Sequence, residues 1–293
     1  MHDRWTVVYD DRDPRRCSER ALVLQSQDIP YELLRGGERT LLTVPEEFAE
    51  RARYELWQFE QENAPARAPR PIEIQPQNGM PGAFAYAAVL LLVTWLAGAA
   101  AFGRDWLGAG RIDGELLRAG EWWRAVTALT LHSGPRHLLG NIGFGMLFGA
   151  LAGRLAGSGV TWLAILLAGA AGNVLNTLLL APQHRSIGAS TAVFAALGLL
   201  AGFVWRGRLM RQDRWPWRLG PLIGGIALLA FTGTGDESTD IGAHLAGFLT
   251  GLAAGIGLTQ VADRLAGQRL QQACGGIAAA LLAAAWLLAL GGR

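Results

Sequence analysis

Apolar residues run through most of this chain in long blocks. Marking every charged position leaves seven uncharged stretches, at 83–103, 137–153, 155–183, 186–205, 219–235, 241–262 and 270–292. A helix needs about 20 apolar residues to cross a ~30 Å hydrocarbon core, so each stretch predicts a membrane span. The stretches at 137–153 and 219–235 are short, and reach that length if the flanking Arg136, Arg154 and Arg218 snorkel. The third has room for a helix and a loop holding Pro182. Seven helices is the reading, or six if the last segment lies elsewhere.

The first 63 residues follow another rhythm. Trp5–Tyr9 alternates as a strand, Ser18–Gln27 reads as a helix, and Ile29–Leu34 and Thr40–Val44 read as strands. Pro45–Asn63 reads as an amphipathic helix with an acidic first turn. Residues 1–63 therefore predict a small β-α-β-β-α cytoplasmic domain, and 64–82, with five prolines, a tether. Residues 83–262 would form a six-span membrane domain, and 263–293 a loop and one further transmembrane helix. The fold class is an all-α polytopic bundle carrying a small α+β soluble domain.

Charge orients the bundle. The loop after the fourth span holds Arg206, Arg208, Arg211, Arg214 and Arg218, a cytoplasmic marker. Asp236, Glu237 and Asp240 follow the fifth span without a base, which suits the outside. A cytoplasmic N-terminus satisfies both and makes 104–131 a long external loop, with Trp106, Trp122 and Trp123 at the interface.

Composition narrows the function. The chain is 51% hydrophobic and 17% charged, against about 25% charged in soluble domains. A net charge of +2 and the lack of a basic stripe argue against nucleic acid. Cys17 and Cys274 lie in different regions, so no disulfide framework is expected, and Cys17 lacks a CxxC partner. Met1–Asp13 is charged and has no apolar run, unlike a signal peptide. HExxH is absent and no acid accompanies the intramembrane histidines, so neither metal nor cofactor is expected. A proton-relay transporter is disfavoured for the same lack of intramembrane acids.

What remains is polar residues inside apolar spans, which usually face a bundle interior or a wet cavity. His137 and Asn141, spaced i, i+4, share one helix face about 6 Å apart at Cβ. Both can donate hydrogen bonds toward one point, as an oxyanion requires, although His and Asn also serve as ordinary inter-helix links. Gly188-Ala-Ser190-Thr191 opens the fourth span, where Gly188 permits close backbone approach and the Ser190 N–H is free at a helix start. Phe194, Gly198 and Gly202 continue the Ser190 face. In the sixth span His244 stands beside a stripe of Ala243, Gly247, Gly251 and Gly255 that admits a close helix partner. A serine needs an adjacent base, and His244 can supply one. With no acid in any span, a dyad is more natural than a triad.

In this order the residues resemble the rhomboid family of intramembrane serine proteases, over roughly residues 80–262. The motifs are Trp123-Arg124, His137xxxAsn141, GxSx at 188–191, and Gly-Ala-His244 with Gly247xxxGly251. The resemblance implies Ser190 as nucleophile and His244 as general base, then acid. It implies an oxyanion hole from the Ser190 N–H, His137 and Asn141, with support from Gly188, Phe194, Gly247 and Gly251. Phe194 would stack on His244 where many members carry tyrosine, and Thr191 stands where glycine is usual. Trp123-Arg124 would anchor the protein in the interface. The implied partners are the lipid bilayer and membrane-protein substrates whose transmembrane segments enter laterally. The implied location is the bacterial inner membrane, with the site toward the external side. The alternative is a catalytically inactive relative that binds membrane helices as chaperone or adaptor.

Overall fold

The computed structural model describes residues 4–63, 76–207, 223–224, 227 and 240–291. Two compact units emerge, Met1–Arg70 and Pro71–Arg293. Most of the expected fifth span at 219–235, the 64–75 part of the tether and most of the arginine-rich loop lie outside the described residues.

In the first unit, β1 (Trp5–Asp11), α1 (Pro14–Ser26), β2 (Glu32–Gly36), β3 (Arg39–Pro45) and α2 (Ala49–Glu62) occur in the expected order. The sheet is antiparallel with order β1-β3-β2. α1 begins earlier than its apolar pattern suggests, because the Asp13 carboxylate accepts from the Arg15 N–H and Pro14 suits the first turn. Glu46–Phe48 forms a 3-10 turn ahead of α2. Leu24, Ile29, Leu42, Val44 and Leu56 fill the core. Cys17 is buried, its thiol donating to the Thr40 carbonyl at 3.2 Å.

The second unit holds, among the described residues, six helices long and apolar enough to cross a membrane. They are α3 (Met80–Gly98), α7 (Pro135–Ala156), α8 (Ser158–Leu179), α9 (Ser190–Gly207), α10 (Ile241–Leu258, continued by a 3-10 turn to Arg264) and α11 (Gln268–Gly291). Each coincides with one of the uncharged stretches, so local apolarity alone located them. In α9 72% of the span is buried, against 17% in α3, so α9 is the central post of the bundle. Leu91, Leu92 and Trp95 on α3 point outward, as do Leu287 and Leu288 on α11.

α9 and α10 meet backbone to backbone. A Cβ on Gly251 would collide with the Ala195 carbonyl, and one on Gly255 with the Leu199 carbonyl. Reciprocally, Gly198 and Gly202 on α9 lie against the Phe248 and Leu252 carbonyls of α10. Without hydrophobic drive in lipid, such close packing is what holds membrane helices together. α11 is docked at both ends. The Gln271 amide donates to the Ala156 and Leu265 carbonyls and accepts from the Val160 N–H. Near the other end, Trp286 lies against Trp106 with ring centroids 4.7 Å apart and donates to Thr130 Oγ1.

The first loop is folded, and it turns Trp106 and Arg124 inward. It contains α4 (Trp106–Gly110), β4 (Ile112–Asp113), α5 (Gly114–Arg118) and α6 (Arg124–Thr127). Trp122 is exposed, but Trp106 is buried under α11 and Arg124 is 1% exposed. Arg124 donates to Glu121 at 2.7 Å and to the Gly108 and Arg111 carbonyls at 3.0 and 2.9 Å. Those carbonyls end α4 and need donors, so the guanidinium faces inward as a staple. Arg124→Met should destabilise the fold by about 2 kcal/mol, since two buried carbonyls lose their donor while Glu121 can hydrate. Thermal unfolding in detergent would measure it.

Candidate active site

Ser190 opens α9, and the segment that delivers it is tied down on two sides. β5 (Arg185–Ser186) pairs antiparallel with β4, and the Gly114 N–H donates to the His184 carbonyl at 3.0 Å. Arg185 also contacts Asp113 at 3.1 Å. Burial acts to raise the Asp113 pKa, but the Leu116 N–H and the Arg185 guanidinium outweigh it and hold the carboxyl below its ordinary range. Two residues further on, the Gly188 N–H donates to the Ala128 carbonyl at 3.0 Å.

Gly188 is where two candidate residues converge. Its φ of +137° is a conformation that L side chains rarely adopt. A Cβ there would stand 2.8 Å from His137 Nε2 and 3.5 Å from Ser190 Oγ. The imidazole of α7 and the hydroxyl of α9 thus border one small space that only a bare backbone leaves open. Asn141, one turn along α7 from His137, is buried, and its Nδ2 has no hydrogen-bond partner among the described residues. A buried donor left unpaired is rare in native structures and invites a functional reading.

His244 lies on α10, 5% exposed. Its ring stacks on Phe194 with centroids 4.5 Å apart and planes inclined by 21°. Phe194 is one turn from Ser190, so the imidazole is held beside the first turn of α9. No hydrogen bond joins Ser190 to His244 among the described residues. Such contacts are often long before substrate binds. A pocket with room for about one water is lined by Gly188, Ser190, Thr191, Asn173, Asp240 and Ala243.

Thr191 fits because its neighbours are bare. Its Cγ2 would lie 3.0 Å from a Cβ on either Gly172 or Gly247, and both positions are glycine. Gly251 serves the α9–α10 packing described above and does not border this space.

Five polar residues absent from the sequence reading of the site also belong to this region. Ser133 Oγ lies 3.1 Å from His137 Nδ1. Asp240 caps α10, accepting from the Ala243 N–H at 2.9 Å, and binds Asn176 and His184. Asp240 is the N-cap of α10, four positions before His244, and the preference of Asp for that position is the signal that could have found it. Ser133 is spaced i, i+4 from His137 but precedes the helix, and Asn176 and His184 come together with Asp240 only through the tertiary fold. His132, just before α7, is kept neutral, since burial, with His137 alongside, pushes its pKa down to about 4.

Residues 119–261 match the family model described as Rhomboid domain. Among curated proteins the chain is similar to the rhomboid protease GluP of Bacillus subtilis, 36% identical over 91 residues, which is 31% of this chain and 18% of that protein. The chloroplastic rhomboid-like protein 11 of Arabidopsis thaliana is 35% identical over 86 residues, 29% of this chain and 31% of its own length. Rhomboid-like protease 2 of Toxoplasma gondii is 28% identical over 152 residues, 51% of this chain and 52% of its own. The chain thus spans from about a fifth to about half the length of these relatives.

Proposed function

The chain belongs to the rhomboid family of multi-pass membrane proteins, and from that premise we propose that it is a serine endopeptidase cutting transmembrane segments of membrane proteins. Ser190 is the nucleophile and His244 the base. The observation that carries this is the meeting of Ser190 Oγ and the His137 ring at Gly188, with His244 stacked one turn away.

In the proposed reaction the Ser190 hydroxyl attacks the scissile carbonyl carbon and passes its proton to His244. The His244 imidazolium then protonates the leaving amine, and water releases the acyl group by the same steps in reverse. The tetrahedral oxyanion is met by the Ser190 N–H, which has no partner among the described residues at the start of α9, and by the donors of His137 and Asn141. In the tautomer that this mechanism requires, the Ser133 hydroxyl donates to Nδ1 and the ring hydrogen of His137 falls on Nε2, which faces Gly188. Asn141 Nδ2 would gain in the oxyanion the partner that it lacks at rest. The relatives named as proteases support the reaction class. In this reading the N-terminal unit is cytoplasmic, tethered by residues 64–82, and the site opens toward the external side.

Reconstitution with a single-span substrate tests this. Wild type should cleave it, a fluorophosphonate should label the protein, and Ser190→Ala should lose both. Cleavage that survives Ser190→Ala would exclude the mechanism. A wild type that binds the substrate helix without cutting it would indicate an adaptor instead.

A further inference from the structure

The nucleophile and the base reach the site on different segments, and one carboxylate joins those segments. Asp240 starts α10. Its Oδ1 accepts from the Ala243 N–H at 2.9 Å and its backbone carbonyl from the His244 N–H at 3.1 Å. The Asn176 amide, on α8, donates to Oδ1 and Oδ2 at 3.0 and 2.9 Å. His184 Nε2 lies 2.8 Å from Oδ2 and belongs to the connection that ends at Ser190. The two oxygens thus meet one backbone N–H, two contacts from one amide and an imidazole, which fills the roughly four lone-pair sites of a carboxylate. Gly242 makes room for this, since a Cβ there would collide with Asn176 Oδ1.

Nothing in the proposed chemistry uses these groups, yet they connect its two halves. Movement of the His184 connection displaces Ser190, and movement of the first turn of α10 displaces His244. Both are referred to the same carboxylate, which also lines the pocket beside Ser190. Resting on the protease reading, we infer that Asp240, held by Asn176 and His184, is a positioning residue that fixes the spacing between the Ser190 hydroxyl and the His244 imidazole. It neither takes the proton nor touches the scissile bond. Spacing errors of this kind act on the chemical step, because a shift of about 1 Å can cost a hundredfold in rate while leaving substrate binding in place.

The test uses the full-length protein in liposomes with the single-span substrate, measuring kcat and KM separately beside the melting temperature. Asp240→Ala should lower kcat by about a hundredfold, with KM within about threefold because the substrate contacts are untouched. Asp240→Asn keeps an oxygen for the Ala243 N–H and should recover kcat to within about tenfold of wild type, the remaining deficit reflecting the weaker, uncharged acceptor. Wild-type kcat in Asp240→Ala would overturn the inference. So would a loss that follows only the fraction of protein still folded, or an Asp240→Asn variant no better than the alanine. A wild type that cuts nothing would remove the protease reading, and this inference with it.

Discussion

His244→Ala is expected to lower turnover about as far as Ser190→Ala, roughly 10⁴- to 10⁶-fold, and the double variant should be no slower than either single one. Two residues that pass one proton between them fail as a unit, so their losses do not add. In free energy this is about 5–8 kcal/mol for the pair. Stacking makes the test sharper. The His244 ring lies on Phe194 and not in an open cavity, so its truncation removes an aromatic contact worth about 1 kcal/mol, and the α9–α10 packing through glycines persists. Melting temperature should therefore fall modestly while turnover collapses. Turnover of the three variants on the reconstituted substrate decides it. Additive losses would mean that Ser190 and His244 act in separate steps.

The proposed oxyanion donors should behave differently. In the proposed mechanism His137 and Asn141 stabilise charge but do not form the covalent intermediate, so removal of one should leave more residual activity than loss of Ser190. The proposed contribution of His137 depends on Gly188, whose bare backbone keeps the imidazole and the hydroxyl at one space. The proposed proton-transfer pair and oxyanion donors thus rest on separate contacts, α9 with α10 for the first and, for His137, α7 with the Gly188 turn for the second.

Local properties of the chain were legible from the sequence, and long-range ones were not. A run of some twenty apolar residues is a local property, and each of the six described spans overlaps one of the uncharged stretches. The stripe of Gly247, Gly251 and Gly255 is likewise periodic, and it lies against α9. The inward turn of Arg124 was not legible, because a Trp-Arg pair between spans suggests an interface by composition alone. Its actual role depends on the carbonyls of Gly108 and Arg111, more than ten residues away, which draw Arg124 inward. Asp240 was read only as a charge marking one side of the membrane. Its partners Asn176 and His184 are 64 and 56 residues distant, and no spacing rule connects them. The fit of Thr191 depends in the same way on two glycines from other helices.

Gly251→Val, at the α9–α10 seam, is expected to cost about 3 kcal/mol or more of stability. A valine Cβ at this position would overlap the Ala195 carbonyl, which is backbone and cannot rotate away. The helices must separate, and in lipid that separation forfeits the close contact that joins them. Gly257, on the same helix, has open space where its Cβ would stand. Gly257→Ala should therefore be neutral or gain up to about 1 kcal/mol from helix propensity, which separates steric overlap from any general intolerance of α10 to substitution. Gly251→Ala should fall between them. Because Ser190 and His244 sit on the two helices forced apart, turnover of the folded fraction of Gly251→Val should also drop, by about a hundredfold for a shift near 1 Å. Thermal unfolding in detergent and turnover in liposomes read the two effects separately. If Gly251→Val melts with wild type, the two helices are held by contacts other than this seam.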